Sequence, residues 1–155
     1  MNPEKVADGY AADLLMPGYI FKPIAQQQKH LNWKTVDALA GVFDTSLTAT
    51  AIRLVEGDYF PALLVCHAKG GRRWFVRAPS IPSRWFPQDV LDANSFAFDV
   101  LFGDGRDDPM PRKIRGDAWF DRYDAERFDL QEQSCRIGDE ILTLLLITDQ
   151  KMLDD

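Results

Sequence analysis

Apolar residues recur at spacings of three and four through the first third of the chain and then change to the alternation of strands. Val6, Tyr10 and Leu14, with Ala7, Ala11 and Leu15, predict a first helix from a cap at Asn2 and a helix-starting Pro3 to about Met16, closed by Pro17-Gly18. Tyr19 to Lys29, interrupted by Pro23, reads as a weaker helix or an irregular stretch. Asn32 opens a second clear helix whose apolar face is Val36, Leu39, Ala40 and Phe43. Asp44-Thr45-Ser46 supplies a turn and a new cap, and Leu47, Ala51, Leu54 and Val55 carry the next stripe to a stop at Gly57. Two short helices joined by three residues make a helix-turn-helix-like unit.

From Asp58 the pattern is that of strands. Tyr59 to Ala68 and Arg72 to Ala78 flank Lys69-Gly70-Gly71 and predict a hairpin. Asp92 to Phe102 returns to a helical period, Gly103 to Pro111 reads as an exposed acidic loop, and Ile114 to Phe120 as a short strand. Arg127 to Ile137 and Glu140 to Thr148 form a second hairpin around Gly138-Asp139. Its last strand is apolar on both faces and is expected to be central. The expected fold is α+β, with residues 1–57 a helical segment and residues 58–155 a β-rich domain carrying one helix and a mainly antiparallel sheet.

Composition narrows the class. The 155 residues are 46% hydrophobic and 27% charged, which excludes a disordered chain. With 24 acids against 18 Lys and Arg the net charge is −6, which would repel phosphate backbones and anionic lipid, so neither a nucleic acid nor a membrane is expected as partner. The most apolar run, Ile141 to Ile147, is far shorter than a bilayer span, and the first fifteen residues show no secretory apolar core, so a cytoplasmic location is expected. Cys66 and Cys135 are expected to be unpaired buried thiols.

One stretch is more specific. Glu4, Ala7, Tyr10, and then Ala11-Ala12-Asp13-Leu14-Leu15-Met16-Pro17 resemble a segment of the ImmA/IrrE family of zinc metallo-endopeptidases at every position of its pattern. Val36, Leu39, Ala40 and Phe43, followed by Ser46, Leu47, Ala51, Ile52, Arg53 and Leu54, resemble the helix-turn-helix-like segment that follows in that family. The resemblance covers about residues 1–57; the likeness of the β-rich remainder to the family's variable C-terminal extension is loose. It implies a protease that cleaves a helix-turn-helix repressor and so switches on stress or mobile-element genes. Family chemistry places two zinc-binding histidines and a general-base glutamate in His-Glu-x-x-His on an earlier helix, with the third ligand at the glutamate that aligns with Glu4. This chain contains no His-Glu-x-x-His, and its only histidines are His30 and His67. One carboxylate does not hold a hydrated divalent ion, so no catalytic residue and no cofactor are expected in this chain, with zinc the cofactor of the family and Glu4 a vestigial ligand position. The leading expectation is a non-catalytic regulatory or interaction module, or a fragment, linked to a helix-turn-helix repressor. The alternatives are a fragment or mis-started form of an active zinc endopeptidase, and a small-molecule sensor domain.

Other constellations are weaker. Cys66, His67 and Cys135 suggest a zinc set by type, but neighbours on a strand point to opposite faces. Asp104 to Asp108 lacks the ligand spacing of a calcium loop and reads as a solvated turn. Ser134-Cys135 has no nearby base, and no Gly-x-Ser-x-Gly, P-loop or dinucleotide fingerprint occurs. Between Asn32 and Asp58 two cations stand against four acids, so Thr48, Ala49 and Thr50, the positions expected to face outward, would have little to hold a phosphate backbone. Three Trp-Phe pairs, at Trp74, Trp85 and Trp119, are expected to place one ring in the core and one outside it. The sensor reading puts a pocket between the sheet and the helix at Asp92 to Phe102, with Arg72, Arg73 and Arg77 beside Trp74 to meet an anion.

Overall fold

The computed structural model describes residues 17–154. The first predicted helix and Glu4 lie outside the described residues.

The chain forms α1 (Gly18–Gln26), α2 (Trp33–Phe43), α3 (Leu47–Glu56), β1 (Ala62–Ala68), β2 (Gly71–Arg77), α4 (Phe96–Phe102), β3 (Arg112–Arg115), β4 (Asp129–Ile137) and β5 (Glu140–Ile147). The fold is α+β, as the period change at Gly57-Asp58 indicates. Helix α1 runs straight through Pro23, where the sequence suggested a break. The carbonyl that loses its N–H partner belongs to Tyr19, in the exposed first turn of the helix, where leaving it to solvent costs little. Phe21 and Ala25 turn inward, and the Phe21 ring meets Phe43 at 5.4 Å and Tyr59 at 5.7 Å, tying α1 to the ends of its neighbours.

Helices α2 and α3 are set by their caps. The Asn32 side chain accepts from Thr35 N at 2.8 Å and the Ser46 hydroxyl from Ala49 N at 3.0 Å. Between them Asp44 takes the left-handed conformation, φ 53°, and its N–H closes on Ala40 O. The two axes differ by 108°, within the range of helix-turn-helix units. Among the described residues no single helix is long and apolar enough to cross a bilayer.

The sheet runs β2-β1-β5-β4-β3 with every neighbour antiparallel, so β5 is central as its two-faced apolar pattern requires. Register assigns the faces. Leu64, Cys66, Trp74, Val76, Leu142, Leu144, Gln133 and Cys135 point to one side, which α2 and α3 cover. Leu63, Val65, His67, Phe75, Thr143, Leu145, Leu130, Glu132 and Ser134 point to the other, covered by α4 and the loops around Trp85 and Trp119. One hydrophobic cluster runs from Phe21 to Met152 and draws on residues from both sides of Gly57-Asp58. The β1–β2 turn needs Gly71 at φ 134°, and a bulge follows: Cys66 opposes Trp74 while His67 opposes Arg72, leaving Arg73 extra.

Beyond strand ends that shift by up to three residues, the structure departs from the pattern reading at the start of α4, at β3 and in the acidic loop, each for a local reason. Helix α4 starts at Phe96 and not at Asp92, because Asp92 closes a turn on Asn94 N and the Ser95 hydroxyl caps Phe98 N. The strand expected at Ile114 to Phe120 is β3, Arg112–Arg115, after which Gly116–Ala118 forms a 3-10 turn. The acidic loop is not a fully solvated turn. Asp108 is only 8% exposed: β3 is too short to cover all of β4, and this loop takes its place along the open edge. Asp108 N donates to Ser134 O, Asp108 Oδ2 accepts from Ser134 N at 2.9 Å, and Asp107 Oδ1 accepts from Arg136 N at 2.7 Å. Arg112 Nη2 donates to Asp108 Oδ1 at 2.7 Å.

Asp108→Ala therefore leaves a buried N–H and a guanidinium without their acceptor. It is expected to cost about 1–3 kcal/mol in urea unfolding, whereas Asp104→Ala on the exposed part of the same loop stays within about 0.5 kcal/mol. Equal midpoints for the two variants would contradict the edge-capping role.

Candidate functional site

Among the described residues, those singled out by sequence do not converge on a metal or a nucleophilic centre. Cys66 and Cys135 both oppose Leu142 from either side of β5, two strand spacings apart, about 9–10 Å, which exceeds the Cα reach of a disulfide. Both thiols are buried and no disulfide joins them. His67 points to the opposite face, so the three share no ion. Ser134 spends its hydroxyl on Thr143 at 2.6 Å, and burial, helped by the charge of Asp107, pushes the Cys135 thiol up to about 12, which leaves it protonated and inert. Among the described residues no group of three or more His, Cys, Asp and Glu is placed to hold a metal. Ala49 and Thr50, expected to face outward, are 5% and 0% exposed, because α3 packs on α2 as well as on β1 and β2, and the Thr50 hydroxyl is held by Thr45 and Ser46 O at the turn. That removes them as base contacts.

The arginines of β2 separate. Arg73 points out and pairs with Glu140 at 3.4 Å. Arg72 and Arg77 share the loop-covered face with Phe75, not with Trp74, which the register puts on the helix-covered face. Arg77 is spent on the carbonyls of Trp85 and Ser83, and burial lowers its guanidinium below the ordinary value. Along the expected Asp92 to Phe102 segment, α4 itself packs directly on β4 and β5, with Arg136 Nη2 donating to Val100 O at 2.7 Å, while Asp92 and Asn94 ahead of it line a cavity of about 360 Å³ with Ile114 and Arg115. Arg72 instead lines a cleft of about 360 Å³ toward the β2 edge of the same face, between the Phe86 to Asp89 segment and the Phe120 to Arg122 segment, with Arg84 and Arg122.

That cleft is built on Trp85. The indole is fully buried, its Nε1 donates to Met152 O at 2.7 Å, and its ring packs on Phe120 and Phe128. The guanidiniums of Arg84 and Arg122 lie over this ring at 5.4 and 5.7 Å from its centroid. Arg122 Nε faces Asp124 Oδ1 at 2.7 Å, off the line a hydrogen bond needs, so the contact is ionic. Arg72 lies over Phe86 at 4.8 Å and donates through Nη1 to Pro87 O. Of the Trp-Phe pairs, Trp85 with Phe86 divides as expected, one buried and one 53% exposed; Trp119 and Phe120 are both buried, because they follow a 3-10 turn and not a strand.

Beneath the cleft a polar row crosses the loop-covered face. The His67 Nε2–H donates to Gln88 O at 3.2 Å, while Nδ1 is buried with no partner among the described residues; burial lowers this imidazole below 6.5 and keeps it neutral. Its ring stands edge-on to Trp119 at 5.8 Å, and Trp119 Nε1 donates to Glu132 Oε1 at 2.9 Å. Glu132 Oε2 accepts from Ala97 N at 2.6 Å. Burial pushes the Glu132 carboxyl from 4.5 up to about 7, against the pull of these donors. Sequence reading passed over Glu132: its face of β4 runs Leu130, Glu132, Ser134, Arg136, and with polar residues following it the alternation does not mark it as buried. Arg84 and Arg122 lie on loops and carried no signal.

No protein-family model matches the chain, and no curated protein matches it.

The titration of Glu132 has a definite sign. Between pH 4.5 and about 7 the folded protein keeps a proton that the unfolded chain has released, so this group's contribution to stability is complete below pH 4.5 and is lost as pH rises through about 7. His67 acts oppositely, contributing above pH 6.5 and losing that contribution as pH falls through its folded value. Glu132→Gln removes the first effect alone. Unfolding free energies measured across this range are expected to show the variant gaining on the wild type as pH rises, and parallel profiles would contradict the assignment.

Proposed function

We propose that this protein is an ImmA/IrrE-like regulatory or interaction module, linked to control of a helix-turn-helix repressor and without zinc chemistry of its own. The observation that carries this reading is the run from Glu4 to Pro17, which keeps the family pattern while the chain has no His-Glu-x-x-His. The residues present do not fit the family's zinc. Of the two histidines, His67 is fully buried with Nε2 committed to Gln88 O, which leaves His30 and Glu4 short of a three-ligand set. The α2–α3 pair supports a scaffolding role: its second helix is buried against the sheet, which suits holding a protein-contact surface in place and not reading a groove.

A second reading, a small-molecule sensor, is favoured by one feature, the three-arginine cleft over Trp85. Under either reading the module works by binding, in the compartment its sequence suggests, the cytoplasm.

Two measurements on the purified chain test the leading reading. Elemental analysis is expected to find zinc well below one per chain, and helix-turn-helix repressors from the same genome, incubated with it, are expected to stay intact while at least one associates with it in a two-hybrid assay. Stoichiometric zinc with chelator-sensitive cleavage would instead establish the active endopeptidase. Absence of any repressor association would sink the regulatory link.

A further inference from the structure

Three arginines line the cleft, and each is anchored before any ligand arrives. Arg72 is held by Phe86 and Pro87 O, Arg84 by Trp85 and the carbonyls of Met152 and Asp154, and Arg122 by Trp85 and Asp124. These anchors occupy one nitrogen per side chain: Nη1 of Arg72, Nη2 of Arg84 and Nε of Arg122. A guanidinium carries five N–H donors, so most of the donor capacity remains for something else. Ordering three long side chains is normally a cost of binding, and here it has already been met in folding.

The charge pattern names what fits. Three cations around one opening suit an anion with several oxygens better than the two of a carboxylate, and a phosphate monoester brings close to two charges. Exposed Asp89 and Asp121 also line the cleft, and they would repel a bare phosphate while accepting hydrogen bonds from hydroxyl groups attached to it. About 360 Å³ is at the lower end of small-molecule sites. We propose that this cleft binds a small hydroxylated phosphate monoester, with Arg72, Arg84 and Arg122 on the phosphate and Asp89 and Asp121 on the hydroxyls. The proposal rests on the sensor reading and specifies its ligand class.

Calorimetry and tryptophan fluorescence at low salt, with inorganic phosphate, ribose 5-phosphate, succinate and neutral ribose as probes, test it on the full chain. Ribose 5-phosphate is expected to bind saturably and more tightly than inorganic phosphate, and succinate and ribose more weakly than either. Arg72→Gln and Arg122→Gln are each expected to weaken ribose 5-phosphate by roughly tenfold, and Arg73→Gln, outside the cleft, to leave it unchanged. If a glutamine variant does not fold, the wild type still decides, because ribose 5-phosphate must raise its urea midpoint and ribose must not. Phosphate probes that fail to saturate, binding that survives both substitutions, or succinate binding as tightly as ribose 5-phosphate would each overturn the proposal. Tight binding of neutral ribose would overturn it while leaving a sensor in place, and flat titrations with every probe would remove both.

Discussion

The structure is organised by a central strand that must be hidden on both faces. Ile141 to Leu145 of β5 are all buried, with Leu142 and Leu144 turned to the helices and Ile141, Thr143 and Leu145 to the loops. A strand of that kind cannot face water on either side, so the chain has to supply two covers. The N-terminal helices are one. The long stretch between β2 and β4, with α4 and the Trp85 and Trp119 loops, is the other. At the two edges, where exposed strands invite pairing with other chains, β2 carries Arg72, Arg73 and Arg77 and β3 carries Arg112, Lys113 and Arg115.

A cover made of loops brings polar groups inward, and these are tied together. Glu132 holds the start of α4 through Ala97 N and the Trp119 loop through the indole, while Asp107 and Asp108 supply the acceptors that a longer β3 would have provided. The cleft is a product of the same cover. Trp85, buried against Phe120 and Phe128, gives Arg84 and Arg122 a surface to lie on, and the segment that crosses beside it brings Phe86 to Arg72.

What could be read in the sequence was what depends on near neighbours. The caps at Asn32 and Ser46, the turn at Asp44, both hairpins and the central position of β5 follow from residues within a few positions of one another, and all are present. Pro23 misled because its effect depends on whether the orphaned carbonyl meets water, and Asp108 because its burial depends on a strand 26 residues away. The cleft was legible only in part. Arg72 stood out as one of a basic run, but its face was set by a bulge, and its companions come from loops whose placement no periodicity encodes. Likewise, opposite-face geometry separated His67 from Cys66 before any fold was known, whereas the separation of Cys66 from Cys135 required the strand order.

Native-state hydrogen exchange tests the two-cover account most directly. Amides of Leu142 to Leu145 and Leu63 to Val65 are expected to exchange only through global unfolding, with protection equal to the unfolding free energy from urea. If they exchange through a smaller opening while either cover remains folded, the sheet does not depend on both layers and the account fails.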